Sequence, residues 1–180
     1  MENTNNHFLR FSPPSEIHIM ETEIKKETLL LGDHRLFLGK HSSKLDKYNR
    51  LPTPSQFREE LSNRIYITQG FDRNLIVLTK VAFQGVYRRV VSLNIADPLT
   101  RVLLRLILGT AHEVHLDKNG YLPVPDELKD FANLHENILL VGQGDYFEIW
   151  SADLWNNQEA QLKDADTNSS RFSRISVVTR

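Results

Sequence analysis

"LDKYNRLPTPSQF" at residues 45–57 returns as "LDKNGYLPVPDEL" at residues 116–128. Leu45, Asp46, Lys47, Leu51, Pro52 and Pro54 match Leu116, Asp117, Lys118, Leu122, Pro123 and Pro125, at an offset of 71 residues. Further on, Gly70, Leu75, Val77 and Phe83 match Gly142, Phe147, Ile149 and Trp155 at an offset of 72, so one residue is inserted on the way. A repeat of this kind has to be settled before any element is assigned. Each copy is too small to bury a proper core alone, so the two are expected to intertwine around a single one.

Both copies carry the same order of elements. "LFLGKHSSKL" (36–45) and "AHEVHL" (111–116) read as strands. The second alternates, with Ala111, Glu113 and His115 on one face and His112, Val114 and Leu116 on the other. A turn follows. Asn119-Gly120 is a strong hairpin signal because both residues tolerate positive φ, and Tyr48-Asn49 is a weaker version of it. A short "RLP" or "YLPV" strand leads into a helix. In the first copy Thr53 is expected as N-cap, Pro54 as first helical residue and Gln56 as capping-box partner, with Phe57 and Leu61 on one face. In the second, Pro125, Asp126 and Glu127 open the helix, and Leu128, Phe131 and Ala132 face inward. "RIYIT" and "NLIVLT", then "NILLV" and "YFEIWS", read as hairpins with Gly-containing turns, and Thr79 and Ser151 can each cap a further helix.

Between the copies, "ADPLTRVLLRLILG" (96–109) predicts a helix with Asp97 as N-cap, Pro98 as first residue and Gly109 after its end. Leu99, Val102, Leu103, Leu106 and Ile107 form a stripe at helical period. Leu104 and Leu108 fall outside it, which suggests contact with another subunit. The resulting class is mainly β with short helices, an α+β protein. The organisation is 1–34 as a partly disordered N-terminal extension, 35–90 and 109–162 as the repeats, 91–108 as a connecting helix and 163–180 as a tail. The tail "DADTNSSRFSRISVVTR" has no sustained period and is expected to fray.

Composition narrows the function. The 180 residues contain 40% apolar and 25% charged residues, with a formal net charge of −1. That is ordinary for a soluble domain and carries no whole-chain signature of a nucleic-acid or membrane binder. There is no cysteine, so disulfides and thiolate metal sites are excluded. The longest apolar run, "VLLRLILG", is interrupted by Arg105, and the N-terminus has no secretory pattern; a cytoplasmic protein is expected. His112 and His115 point to opposite strand faces and cannot readily share a metal ion. "GQGD" (142–145) is followed by a strand and not a helix, so it is a hairpin turn and not a phosphate loop. No catalytic constellation, metal, cofactor or small-molecule substrate is expected.

The basic residues are more informative. Arg35, Lys40, Lys44, Lys47, Arg50 and Arg58 stand against Asp46 alone between 35 and 58, with His41 a further donor. Lys40 and Lys44 share a strand face near the turn. A basic hairpin of this kind can meet a phosphate backbone or enter a major groove. Arg50 matters most because its planar fork grips guanine or phosphate in two places. Asp46 can orient it. The plainer reading is a turn-stabilising pair worth about 1 kcal/mol or less when exposed, with lysines that protect a strand edge.

The motifs in combination resemble the MraZ family of bacterial transcriptional regulators. They are "FLGKHSSKLDKYNRLPTPSQFREEL", "LTRVLLRLILGTAHEVHLDKNGYLPVPDELKDFANL" and "ILLVGQGDYFEIWS", spanning about Leu36 to Leu154. The resemblance implies an AbrB-like swapped-hairpin β-barrel built from the two repeats, with subunits in a ring. It further implies a nucleoid-associated regulator that binds double-stranded DNA at repeated promoter boxes of the division and cell-wall gene cluster. The family's contact motif, Asp, three residues, Arg, matches Asp46 and Arg50. Around it Lys47, Tyr48, Asn49, Lys44, Lys40 and His41 are the expected DNA-binding set. The second copy keeps Asp117, Lys118 and Asn119 but has Tyr121 where the family has Arg, which makes it a lesser contact or a scaffold. Against DNA binding stands the alternative of an oligomeric interaction scaffold that has lost it.

Overall fold

The structure, a computed structural model, describes residues 36–61 and 64–172. The expected N-terminal extension and the last residues of the tail lie outside them. Among the described residues eight strands form two antiparallel sheets. A six-stranded sheet has the order β1-β7-β8-β4-β3-β5, and a two-stranded ribbon pairs β2 with β6. The strands are β1 (Lys40–Lys44), β2 (Arg50–Pro52), β3 (Ile65–Gln69), β4 (Leu75–Thr79), β5 (His112–Val114), β6 (Tyr121–Pro123), β7 (Asn137–Gly142) and β8 (Tyr146–Ser151). The helices are α1 (Ser55–Arg58), α2 (Lys80–Val91), α3 (Pro98–Ile107), α4 (Asp126–Phe131), α5 (Ala152–Lys163) and α6 (Ala165–Phe172).

The strand order reads as a palindrome of the repeat. β1 of the first copy pairs with β7 of the second, and β5 of the second pairs with β3 of the first. Each copy thus lends its leading strand to the other's hairpin. The two hairpins meet along β4 and β8, where Leu75 lies opposite Ile149 and Val77 opposite Phe147. These are repeat-equivalent positions paired crosswise, so a pseudo-twofold axis passes at Ile76 and Glu148. The ribbon obeys the same axis: Leu51 faces Leu122. This is the expected intertwining, in an AbrB-like α+β architecture.

One core follows from it. Leu51, Phe57, Ile65, Ile67, Leu75, Val77, Leu122, Leu128, Ala132, Leu134, Leu140, Phe147 and Ile149 from both copies are buried in a single cluster. Phe37, Phe57 and Phe147 meet at its centre with ring centroids 5.0–5.3 Å apart. Phe37 reaches it because its backbone exchanges two hydrogen bonds with Gly144. The same crossing explains Gly142, where a Cβ would lie 2.4 Å from the Phe37 carbonyl carbon. On the sheet's other face each copy lays one aromatic of its trailing helix. Phe83 stacks on Tyr66 at 4.1 Å, and its counterpart Trp155 meets Trp150 edge-on at 5.6 Å.

Several local expectations are met, others corrected. Thr79, Asp97 and Ser151 are N-caps that accept from Ala82, Leu99 and Leu154 backbone N–H groups. Thr53 is not a cap: α1 starts at Ser55 after Pro54, with no side-chain cap bond. The Thr53 N–H is instead drawn to the Gly120 carbonyl at 3.2 Å, a contact between copies. Gln56 likewise bonds His41 rather than closing a capping box. The stripe on α3 is only partly covered, with Leu99 76% and Val102 57% exposed, while Leu104 and Leu108 are half-buried. The cause is that the C-terminal end of α3 is the part tied to the sheet. The buried Thr68 hydroxyl donates to the Ile107 carbonyl at 2.8 Å. Residues 165–172, expected to fray, form α6. Among the described residues no helix is long and apolar enough to cross a membrane.

Leu51→Ala is expected to lower unfolding free energy by about 2–5 kcal/mol, measured by urea denaturation, with a single transition because both copies share the core. A second test concerns Glu159, which accepts from Lys40 Nζ at 2.8 Å and Lys163 Nζ at 3.0 Å. These lysines hold its carboxyl down from 4.5 to about 2. A carboxyl depressed by folding adds stability above its unfolded pKa and loses it as pH falls through the folded one. Melting profiles of wild type and Glu159→Gln should therefore differ above pH 4.5 and converge toward pH 2.

Candidate nucleic-acid interface

The repeated "LDK" string builds two matching turns. In each, the Asp side chain folds back on its own backbone. Asp46 Oδ1 accepts from the N–H groups of Tyr48 and Arg50, both at 2.9 Å. Asp117 Oδ1 accepts from those of Asn119 at 2.8 Å and Tyr121 at 3.0 Å. Each loop closes with an i to i+3 bond whose donor is the one left-handed residue, Asn49 at φ 55° and Gly120 at φ 79°. One positive φ per turn is needed, not the two expected at Asn119-Gly120, because a three-residue loop ends in a bulge. The turns lie side by side because the β2–β6 ribbon sits between them. The Val124 N–H donates to the Asn49 carbonyl at 2.8 Å, mirroring the Thr53–Gly120 bond.

Arg50 is where the mirror breaks. Its Nε donates to Asp46 Oδ2 at 2.9 Å, as the spacing predicts, and its Nη2 lies 2.8 Å from the same oxygen. Its Nη1 donates to Asp117 Oδ2 of the other copy at 3.0 Å. Tyr48 and Tyr121 flank the guanidinium, each ring centroid 5.2 Å away. The side chain remains 36% exposed. Loss of water around Asp46 pushes its carboxyl upward, but bonds from the Arg50 side chain and from the Arg50 and Tyr48 N–H groups outweigh this and hold it below the usual range. Asp117 is also held down, first by the Tyr121 N–H and further by the charge of Arg50. Lys47 and Lys118 are exposed at the tips, with Lys47 Nζ 5.0 Å from the Tyr48 ring centroid.

The structure gathers Asp46, Lys47, Tyr48, Asn49, Arg50, Asp117, Lys118, Asn119 and Tyr121 on one rim. The other expected residues have partners outside these turns. Lys40 pairs with Glu159 and lies 5.5 Å from the Trp155 ring centroid. Lys44 pairs with Glu136 at 2.6 Å. The His41 ring packs edge-on against Phe57 at 4.9 Å and bonds Gln56. A strand's alternation aligns Lys40 and Lys44, but it does not say which neighbouring carboxylates a swapped strand will meet. Sequence reasoning counts Arg58 among the basic residues but leaves it out of the DNA-binding set; its side chain covers the second turn at Gly120. Its place at the end of the Pro-led helix is a signal only once the copies are paired. His112 bonds Glu127, and among the described residues no three His, Cys, Asp or Glu gather to hold a metal ion.

A duplicated, strand-swapped α+β fold with paired Asp-anchored turns on one rim defines a two-repeat AbrB-like protein. The comparisons narrow this. The family model described as "MraZ protein, putative antitoxin-like" matches twice, at residues 36–106 and 107–175. The chain is 35% identical over 139 residues to a transcriptional regulator MraZ of Roseiflexus castenholzii, covering 77% of this chain and 95% of the relative. It is 34% identical over 127 residues to that of Thermomicrobium roseum, covering 71% and 89%. With the relative from Carboxydothermus hydrogenoformans the identity is 33% over 122 residues, 68% and 85%. The chain belongs to the MraZ family.

Carbon-detected NMR titration checks the double ion pair. Both Asp46 and Asp117 carboxyls are expected to titrate below the ordinary aspartate range, and Arg50→Ala should raise both, Asp46 more. An Asp117 that does not respond would remove the bond between copies.

Proposed function

We propose that this protein is a sequence-specific transcriptional regulator that binds repeated promoter boxes upstream of the division and cell-wall gene cluster, as a ring of subunits. The observation that carries the reading is the rim itself. Two turns stand side by side, and a half-exposed guanidinium is held between them by carboxylates and tyrosine rings. A pre-ordered fork loses little freedom on meeting guanine or phosphate. Lys47 and Lys118 on either side supply phosphate contacts. The relatives' shared name as transcriptional regulators supports the same assignment, and it agrees with a nucleoid-associated protein that does no enzyme chemistry.

Assembly gains support from the exposed apolar side chains on α2, on α3 and between them. Tyr87, Val91, Leu93, Ile95, Leu99 and Val102 all present apolar surface to solvent. A second copy is the occupant we favour for this face. In a ring, each subunit brings one rim to the same side, and weak contacts to boxes spaced by a helical turn add through effective concentration. This is how a chain with net charge −1 can hold DNA.

The scaffold reading draws on one observation, that two carboxylates already engage Arg50. Mobility shifts separate the two, with duplex from upstream of the protein's own gene against scrambled duplex across a salt series. Wild type should prefer the repeats, with affinity falling steeply as salt rises. Arg50→Ala should lose at least tenfold while light scattering shows an unchanged oligomer, and Tyr121→Ala should lose less. No preference by wild type would favour the scaffold.

A further inference from the structure

The second turn lacks its own arginine, yet a guanidinium lies on it. A Cβ built on Gly120 would fall 2.5 Å from Arg58 Cδ and 2.6 Å from Arg58 Nη1. The Arg58 side chain therefore lies flat over the Gly120 backbone, and Gly120 is buried although it occupies a turn tip. Arg58 itself is exposed. Among the described residues it has no carboxylate partner within ion-pair distance, whereas Arg50 has two. It comes from α1 of the first copy and is delivered across the axis because the Thr53–Gly120 bond draws the start of that element to the second turn. The first turn is built differently. There Asn49 occupies the left-handed position, and its Nδ2 donates to Asp126 at 2.5 Å.

We infer that Arg58 supplies, in trans between copies, the cation that position 121 does not provide, and that it contacts a backbone phosphate of bound DNA. This rests on the DNA-binding reading above. The rim then divides its labour. Arg50, ordered by two carboxylates, reads a base edge; Arg58, without an ion-pair partner among the described residues and lying over Gly120 in the turn that carries Lys118, neutralises phosphate. The second half is a contributing surface and not a scaffold. Tyr121 matters here too: an arginine at 121 would compete with Arg50 for Asp117, whereas the tyrosine ring packs against Arg50 and leaves Arg58 as the second turn's guanidinium.

The test compares wild type, Arg58→Ala, Arg58→Lys and Arg50→Ala on the repeat-bearing and scrambled duplexes, by fluorescence anisotropy from low to high salt. A lost phosphate contact weakens both duplexes alike and lowers the slope of log affinity against log salt by about one. Arg58→Ala is expected to do this, and Arg58→Lys to retain the slope. Arg50→Ala is expected to abolish the difference between duplexes. An unchanged slope in Arg58→Ala, or a loss confined to the repeat-bearing duplex, overturns the assignment while the regulator reading stands if Arg50→Ala behaves as expected. Wild type without preference would overturn both. Melting temperatures within a degree or so of wild type would confirm that an exposed side chain was removed without loss of fold.

Discussion

Leu51 and Leu122 face each other across the β2–β6 ribbon, and the rest of the molecule depends on that pairing. Neither copy has enough apolar surface to close over itself. Placing the two equivalent leucines back to back forces the flanking segments to cross. β1 then meets β7 and β5 meets β3, and the aromatic centre is filled from both copies. Stability is thus a property of the pair of repeats and not of either one. The same ribbon sets the two Asp-anchored turns beside each other, so the core and the rim are consequences of one contact.

Within this near-symmetry the functional surface is asymmetric. The two turns use the same carboxylate chemistry to organise their backbones. They differ in what stands at the fourth residue after the aspartate. With Tyr121 there, Asp117 has no arginine in its own turn, and the geometry lets Arg50 reach it. An ion pair across a half-exposed surface adds little to folding. Its effect is on order: a guanidinium with bonds on three of its atoms and a ring on either side has few orientations left. Arg58 shows the complementary case, a side chain whose direction is set by the gap a glycine leaves.

Much of the fold is readable along the chain because its signals are local. Asp97 before Pro98, Ser151 before an apolar helix and the alternation of "AHEVHL" each act over a few residues, and each appears as read. The expectations that failed involve residues recruited by a distant partner. Thr53 gives its N–H to the other copy instead of starting α1, and Gln56 goes to His41. The α3 stripe has the right period but finds core only where Thr68 anchors its end.

By itself, then, the sequence determined that there are two copies, where each turn falls, which residues anchor it and that the copies must merge, since hydrogen-bond patterns of turns and caps span only a few positions. Tertiary structure alone decided which strand joins which sheet, that one arginine answers to two aspartates, and that Arg58 lies on a turn 62 residues away. Those outcomes depend on the pseudo-twofold packing of two unlike copies, and no local pattern encodes the side chains that such packing brings face to face.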